Sequence, residues 1–175
     1  QDVMTHRPLG LLRPLRRLAL VALLWPGLAG AALATGVTPL AMREIAPGIY
    51  VHQGRHVSLD DPARADSANI GFIIGERCVA VVDTGGSVAV GAALLAAVRA
   101  TTDKPVCHVI NTHGHFDHVL GNAAFAQLPG INFVGHSNLA ESLVASTDFF
   151  LRQFAAELGP DPEASLIVLP TLQIA

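Results

Sequence analysis

The chain has 175 residues, a length that suits one domain or part of a larger one. Hydrophobic residues make up 51% of it and charged residues only 14%, which excludes a disordered charged tail, and its 16 glycines and 11 prolines follow no Gly-X-Y period, which excludes a collagen-like fibre. The formal charge is −3 and no basic run follows Arg17, so nucleic acid is not an expected partner.

Residues 1–34 stand apart in composition. Arg7, Arg13, Arg16 and Arg17 face the lone acid Asp2, and an apolar stretch from Leu18 to Trp25 follows. Pro26-Gly27 breaks any helix there, and small residues lead to Ala32-Leu33-Ala34. A basic start, a short apolar stretch and an A-x-A site are the parts of a secretory signal peptide, so a periplasmic or secreted protein is expected. An uncleaved membrane anchor competes with that reading, because no charge occurs from Leu18 to Met42. Arg16-Arg17 is also compatible with twin-arginine export. The first methionine is Met4, so Gln1-Asp2-Val3 is expected to precede the natural start.

Residues 35–175 form the expected folded domain, with no internal repeat. A strand is predicted over Ile45–Val51, entered through Pro47-Gly48. The polar stretch His52–Asp66 reads as a loop. The apolar runs Ile70–Ile74 and Cys78–Val82 read as a hairpin of strands buried on both faces. After a turn at Asp83–Gly86, Ser87 is placed to cap a helix over Val88–Arg99. Val106–Ile110 is the next strand, Asn111–His118 a loop, and Val119–Gln127 a short helix stopped by Pro129-Gly130. Ile131–Val134 reads as a strand. Ser137 is placed to cap a helix running towards Leu158 with a break near Ser146, whose apolar face carries Leu139, Leu143, Phe150, Phe154 and Leu158. Gly159-Pro160 ends it, and Leu166–Leu169 opens another strand. Strands alternating with helices indicate an α/β architecture, with ligands expected at a strand's carboxyl end.

Cys78 and Cys107 each lie in an apolar run. Buried thiols are the simpler reading; in an exported protein a disulfide is the alternative, and its geometry is open at this point.

The strongest chemical signal is Thr112-His113-Gly114-His115-Phe116-Asp117-His118. Four metal-ligating side chains lie within six residues. Residues at i and i+2 in a loop leaving a strand point the same way, so His113 and His115 suit one metal. Asp117 and His118 follow and suit a second. Gly114 is expected to let the backbone turn tightly between the histidines. Imidazole and carboxylate donors fit Zn²⁺, and iron or manganese is compatible.

These residues resemble a known family. His113-x-His115-x-Asp117-His118 is similar to the metal motif of the metallo-β-lactamase-fold hydrolases, Val81–Gly85 to their strand-end motif, and Asn111-Thr112-His113 to the approach to their metal loop. The likeness covers most of residues 45–170. It implies an α/β fold that is the N-terminal half of an αβ/βα sandwich, with a mixed sheet and flanking helices. It implies that His113 and His115 bind a first zinc, that Asp117 and His118 bind a second, and that Asp117 helps orient the nucleophile as the catalytic residue. Asp83 would steady the loop, and His52 and His56 would lie in a loop that contacts a small-molecule substrate. Ala68–Glu76 and Val81–Ser87 further resemble the exported subgroup of quinoprotein relay-system zinc metallohydrolases.

In that family a second half supplies another His, a bridging Asp and a final His. After His118 the chain has only His136, which follows a strand directly and reads as structural or site-lining. The sequence therefore reads as the N-terminal half of such an enzyme, with an incomplete sandwich prone to self-association. A mononuclear iron thiol or persulfide dioxygenase relative, or an inactive metal-binding fragment, are the other readings. His108, within a strand, is expected to be packed.

Overall fold

The protein is described by a computed structural model over residues 36–160 and 167–175. The expected signal peptide and the start of the last expected strand at Leu166 lie outside those residues. Among the described residues, no helix is long and apolar enough to cross a membrane.

The described residues form a mixed α/β structure around one seven-stranded sheet whose strand order follows the sequence. The strands are β1 (Arg43–Ala46), β2 (Ile49–His52), β3 (Ile70–Ile74), β4 (Val79–Val82), β5 (Val106–Ile110), β6 (Asn132–His136) and β7 (Leu172–Ile174). The first four pair antiparallel as a meander. From β4 onward the pairs are parallel, joined by connections that carry the helices. These helices are α1 (Val88–Thr101), α2 (Phe116–Val119), α3 (Ser137–Gln153) and α4 (Ala155–Leu158).

Period-two alternation sorts the strands into two faces. Tyr50, Phe72, Val81, Val109 and Phe133 lie opposite one another across five strands. Tyr50 stacks on Phe72 at 4.8 Å. Leu94, Leu95 and Val98 of α1 pack on this face and complete the main core. Each such aliphatic or aromatic side chain contributes about 1.5–3 kcal/mol when buried. The other face carries Ile73, Ala80, Val82, His108, Ile110 and Val134, only partly covered, and Nδ1 of His108 is buried there without a hydrogen-bond partner among the described residues.

A second apolar cluster underlies the His-rich loop. It joins Phe116, Val119 and Leu120 to Leu139, Leu143, Phe150, Phe154 and Leu158. The apolar face expected on the long helix is thus the buried one. α1 also touches the segment after α2 backbone to backbone: a Cβ on Gly91 would lie 2.3 Å from the Gly121 carbonyl oxygen, and a Cβ on Gly121 would lie 2.1 Å from that of Thr84. Only glycine fits at this crossing, and it sets the depth at which α1 seats beside the loop.

Several expected boundaries move. The strand predicted over 45–51 is two strands, because Pro47-Gly48 is a turn between them rather than an approach; Gly48 has φ +75° and its N–H donates to Glu44. The expected loop 52–66 contains a 3₁₀ turn at Arg64–Asp66. The helix expected from Val119 starts at Phe116 and gives way to a 3₁₀ turn over Leu120–Ala124. His136, rather than Ser137, caps α3, its Nδ1 accepting from the Asn138 N–H at 3.1 Å. The break expected near Ser146 occurs at Phe154, whose backbone leaves the helical region. Among the described residues the last strand is Leu172–Ile174, and residues 167–169 of the expected strand are not in one.

Cys78 and Cys107 form a disulfide across the β4–β5 edge, which overturns the reading of two buried thiols. The parallel pairing of Val79 with Val106 brings the flanking cysteines together. The bridge closes a span of 29 residues. Reduction is expected to lower unfolding stability by about 3 kcal/mol through loop entropy. Urea titrations with and without a thiol reductant measure this, and coincident curves would show that the bridge contributes nothing.

Candidate metal centre

The carboxyl ends of the adjacent parallel strands β4 and β5 position the site. β4 ends into Asp83, whose φ of +54° is the one left-handed backbone among described non-glycine residues. Aspartate tolerates this region better than most side chains. The conformation turns its carboxylate under the loop that leaves β5. There Oδ1 accepts from the Thr112 N–H at 2.9 Å, and Oδ2 accepts from the Thr112 hydroxyl at 2.7 Å and from His118 Nδ1 at 2.8 Å. Asp83 is 3% exposed, so these bonds replace nearly all of its hydration.

This arrangement sets two imidazole tautomers. His118 holds its Nδ1 proton towards Asp83, leaving Nε2 to face outwards. Thr112 spends its hydroxyl proton on Asp83, so its oxygen accepts from His113 Nδ1 at 3.0 Å. His113 therefore also keeps Nε2 for a ligand. Asp83 steadies one histidine directly and the other through Thr112.

Beneath the loop lies a buried polar network. Asn111 and Asn122 exchange side-chain hydrogen bonds at 2.8 and 3.1 Å, and the Thr84 hydroxyl donates to Asn122 at 2.8 Å. The Thr84 N–H holds the His118 carbonyl at 3.0 Å. Buried polar groups satisfied in this way fix one backbone path.

The structure places the expected donors near one another in pairs. The His113 ring lies 4.6 Å from His115 and 4.0 Å from His118, and His118 Nε2 lies 3.7 Å from Asp117 Oδ2. Asp117 and His118 belong to the first turn of α2, not to a loop. The Ser67 hydroxyl lies 2.7 Å from the Arg64 carbonyl and 3.1 Å from Asp117 Oδ2, linking the segment before β3 to this turn. Gly114 is not among the glycines with positive φ. Its missing side chain instead makes room for α3: an added Cβ would stand 3.3 Å from Leu139 and 3.4 Å from the Ser142 hydroxyl.

Burial lowers the pKa of His113, with His118 and His115 adding to the effect against the pull of Asp83 and Asp117. For His118 burial also favours the neutral ring, but the hydrogen bond to Asp83 and the charges of Asp83 and Asp117 outweigh it and raise the pKa above the usual 6.5. In metal-free protein this gives a signed effect. The Asp83–His118 pair contributes stability that is fully present below the ordinary histidine pKa and is lost as pH rises through the raised value. The stability difference between wild type and His118→Gln in chelator should therefore shrink from pH 5 towards pH 9, about the span in which a histidine titrates. A difference that grows over that range in urea titrations would contradict it.

His52 and His56 sit differently. His52 ends β2, with Nδ1 at 3.0 Å from the Ala41 carbonyl and Nε2 at 2.7 Å from Asp66, so its ring ties the loop to the sheet. His56 is exposed in that loop. Thr112 and Ser67 are contributors that sequence reasoning missed. Thr112 had a signal, standing between a strand end and the first histidine; Ser67 had none, in a polar stretch without pattern.

The donor chemistry, three imidazoles and a carboxylate, fits zinc. Among the described residues, however, no group of three or more His, Cys, Asp or Glu side chains converges on one ion position.

The sequence profile described as the metallo-beta-lactamase superfamily matches residues 63–171. No curated protein matches the chain significantly. Among solved structures, the chain is similar to a metallo-beta-lactamase from Hirschia baltica, with TM-score 0.51 and 22% identity over 62% of this chain and 48% of that one. It is similar to TMB-1, with TM-score 0.50 and 21% identity over 63% and 49% of the two chains. It is also similar to the metallo-beta-lactamase FIM-1 from Pseudomonas aeruginosa in its mono-zinc form, with TM-score 0.50 and 20% identity over 62% and 46%. The chain thus spans about half the length of each of these structures.

Proposed function

The chain belongs to the metallo-β-lactamase superfamily, and from that premise we propose that it forms part of a zinc-dependent hydrolase acting on an ester, thioester or lactam-like bond of a small molecule. The observation that carries the proposal is the placement of His113, His115, Asp117 and His118 around one turn, with the Nε2 atoms of His113 and His118 freed by the Asp83–Thr112 linkage. His113 and His115 would hold one zinc, and Asp117 and His118 a second, with further donors from polypeptide beyond the described residues.

Zinc in such a site lowers the pKa of water towards neutrality and polarises a carbonyl oxygen. The chain's own residues do the positioning. Asp83 keeps the protons of His113 and His118 on the side away from the ligand position. Asp117 would accept a hydrogen bond from the attacking water and align it. The phenylalanines beneath the loop exclude bulk water from one side.

Export is part of the same reading, and the Cys78–Cys107 disulfide supports it, since such bonds persist in oxidising compartments. The test uses the full-length protein, stripped and reloaded with zinc, against a panel of thioesters, aryl esters and β-lactams. Hydrolysis of at least one class, dependent on added zinc, is the expected result. No zinc-dependent hydrolysis of any class would overturn the proposal, and iron in natively purified protein with thiol-dependent oxygen uptake would replace it by the dioxygenase reading.

A further inference from the structure

The contact between Ser67 and Asp117 joins positions 50 residues apart, and it is built from both sides. Gly86, just after β4, donates its N–H to the Ala65 carbonyl at 2.8 Å. A Cβ on Gly86 would stand 2.9 Å from Ala65 Cα and 3.1 Å from Asp117 Cα. Gly86 is not among the glycines with positive φ, so space rather than conformation calls for glycine here. The absent side chain lets the Arg64–Asp66 turn and the first turn of α2 close on one stretch of backbone. On its far side the turn is anchored by the Arg64 guanidinium. That group pairs with Glu157 at 2.6 Å, donates to the Leu59 and Gln153 carbonyls at 3.0 and 3.2 Å, and lies 4.8 Å from the Phe154 ring centre.

Ser67 supplies what α2 cannot. A helix sets the direction in which Asp117 leaves the backbone, but the carboxylate still turns about a bond with a broad, two-fold energy profile. Asp117 Oδ2 lies 3.1 Å from the Ser67 hydroxyl and 3.7 Å from His118 Nε2. A carboxylate oxygen accepts at two lone pairs. We propose that Ser67 is a positioning residue for Asp117: its hydroxyl holds one lone pair of Oδ2, fixes the plane of the carboxylate, and leaves the other lone pair for the ion shared with His118. The inference rests on the reading of these residues as zinc donors and adds to it the residue that sets the affinity of the second zinc.

The hydroxyl also faces the Arg64 carbonyl at 2.7 Å, which keeps its oxygen within reach of Asp117. Of the two acceptors the carboxylate is the stronger, since a hydrogen bond to a charged group is about twice as strong as one between neutral groups. Ser67 is half-buried and belongs to neither apolar cluster, so trimming it to alanine opens no cavity in the core. It has no contact with His113 or His115 among its hydrogen bonds, so its influence falls on the Asp117–His118 position and not on the other.

The test titrates zinc into metal-free full-length protein against a chromophoric chelator, which resolves a dissociation constant for each ion. His118→Gln, measured alongside, identifies the constant that belongs to the Asp117–His118 position. Ser67→Ala should weaken that constant by about 10- to 100-fold. The other constant should stay within about twofold. Ser67→Thr, which keeps the hydroxyl, should restore the wild-type value, and urea titration checks that all variants are folded. Constants unchanged in Ser67→Ala, equal losses at both positions, the same loss in Ser67→Thr, or a wild type that binds a single zinc each overturn the assignment. A selective loss in Ser67→Ala, in protein that hydrolyses no ester, thioester or lactam, upholds the role of Ser67 and removes the hydrolase reading. Zinc-dependent hydrolysis with both constants unchanged in Ser67→Ala removes the role of Ser67 alone.

Discussion

Asp83→Asn in the full-length protein is expected to weaken zinc binding by about 10- to 100-fold, the usual effect of losing a group that orients metal-ligating histidines. It is also expected to lower unfolding stability by about 3 kcal/mol, because a buried charged acceptor is lost and its donors are left facing an amide. Asn keeps the size and tolerates the left-handed backbone at this position. It cannot accept from the Thr112 N–H, the Thr112 hydroxyl and His118 Nδ1 together, since one of its two side-chain termini is a donor. Ala should be worse than Gly, because Ala loses the acceptor and adds backbone strain of about 1–2 kcal/mol, while Gly loses only the acceptor. Chelator competition measures the affinity and urea titration the stability. Zinc affinity equal to wild type in Asp83→Asn would show that the carboxylate does not set the histidine tautomers.

His115→Ala is expected to cut zinc-dependent turnover by at least about a thousandfold while leaving stability within about 0.5 kcal/mol. The separation follows from where the side chain sits. His115 is exposed at the start of α2, outside both apolar clusters, so its removal leaves no cavity. It stands between a cavity against α3 and a second hollow of about 390 Å³ lined by Val57, Leu59, Ser67 and Asp117. Loss of a ligand there removes metal charge from the site. Steady-state kinetics and thermal unfolding on the same preparation check both parts. Full turnover in the variant would eliminate His115 as a ligand.

The sequence made some parts of the molecule legible because the signals are local. The His113–His118 spacing is short, and the apolar positions of α3 repeat at helical intervals, so both could be read without knowing the fold. Asp83 was readable as a polar residue at the end of an apolar strand. What could not be read depends on contacts between distant segments. The Cys78–Cys107 bond requires β4 and β5 to pair in parallel register. The role of Gly114 depends on how near α3 comes. The start of α2 was missed because His115 makes no side-chain cap bond and so leaves no capping pattern. Ser146 suggested a break but sits within α3, where the neighbouring Thr147 hydroxyl bonds back to the Leu143 carbonyl at 2.9 Å and the helix continues.

The central claim is that the segment from His113 to His118 is the metal-binding half of a hydrolytic site. The most direct measurement is the metal content of the full-length protein alongside its hydrolytic rate, as zinc is removed by a chelator and then returned. The account predicts that two zinc ions per chain are bound and that activity is lost and regained in step with them, as in two-metal hydrolytic sites. Hydrolysis that persists after the metal is gone would contradict it.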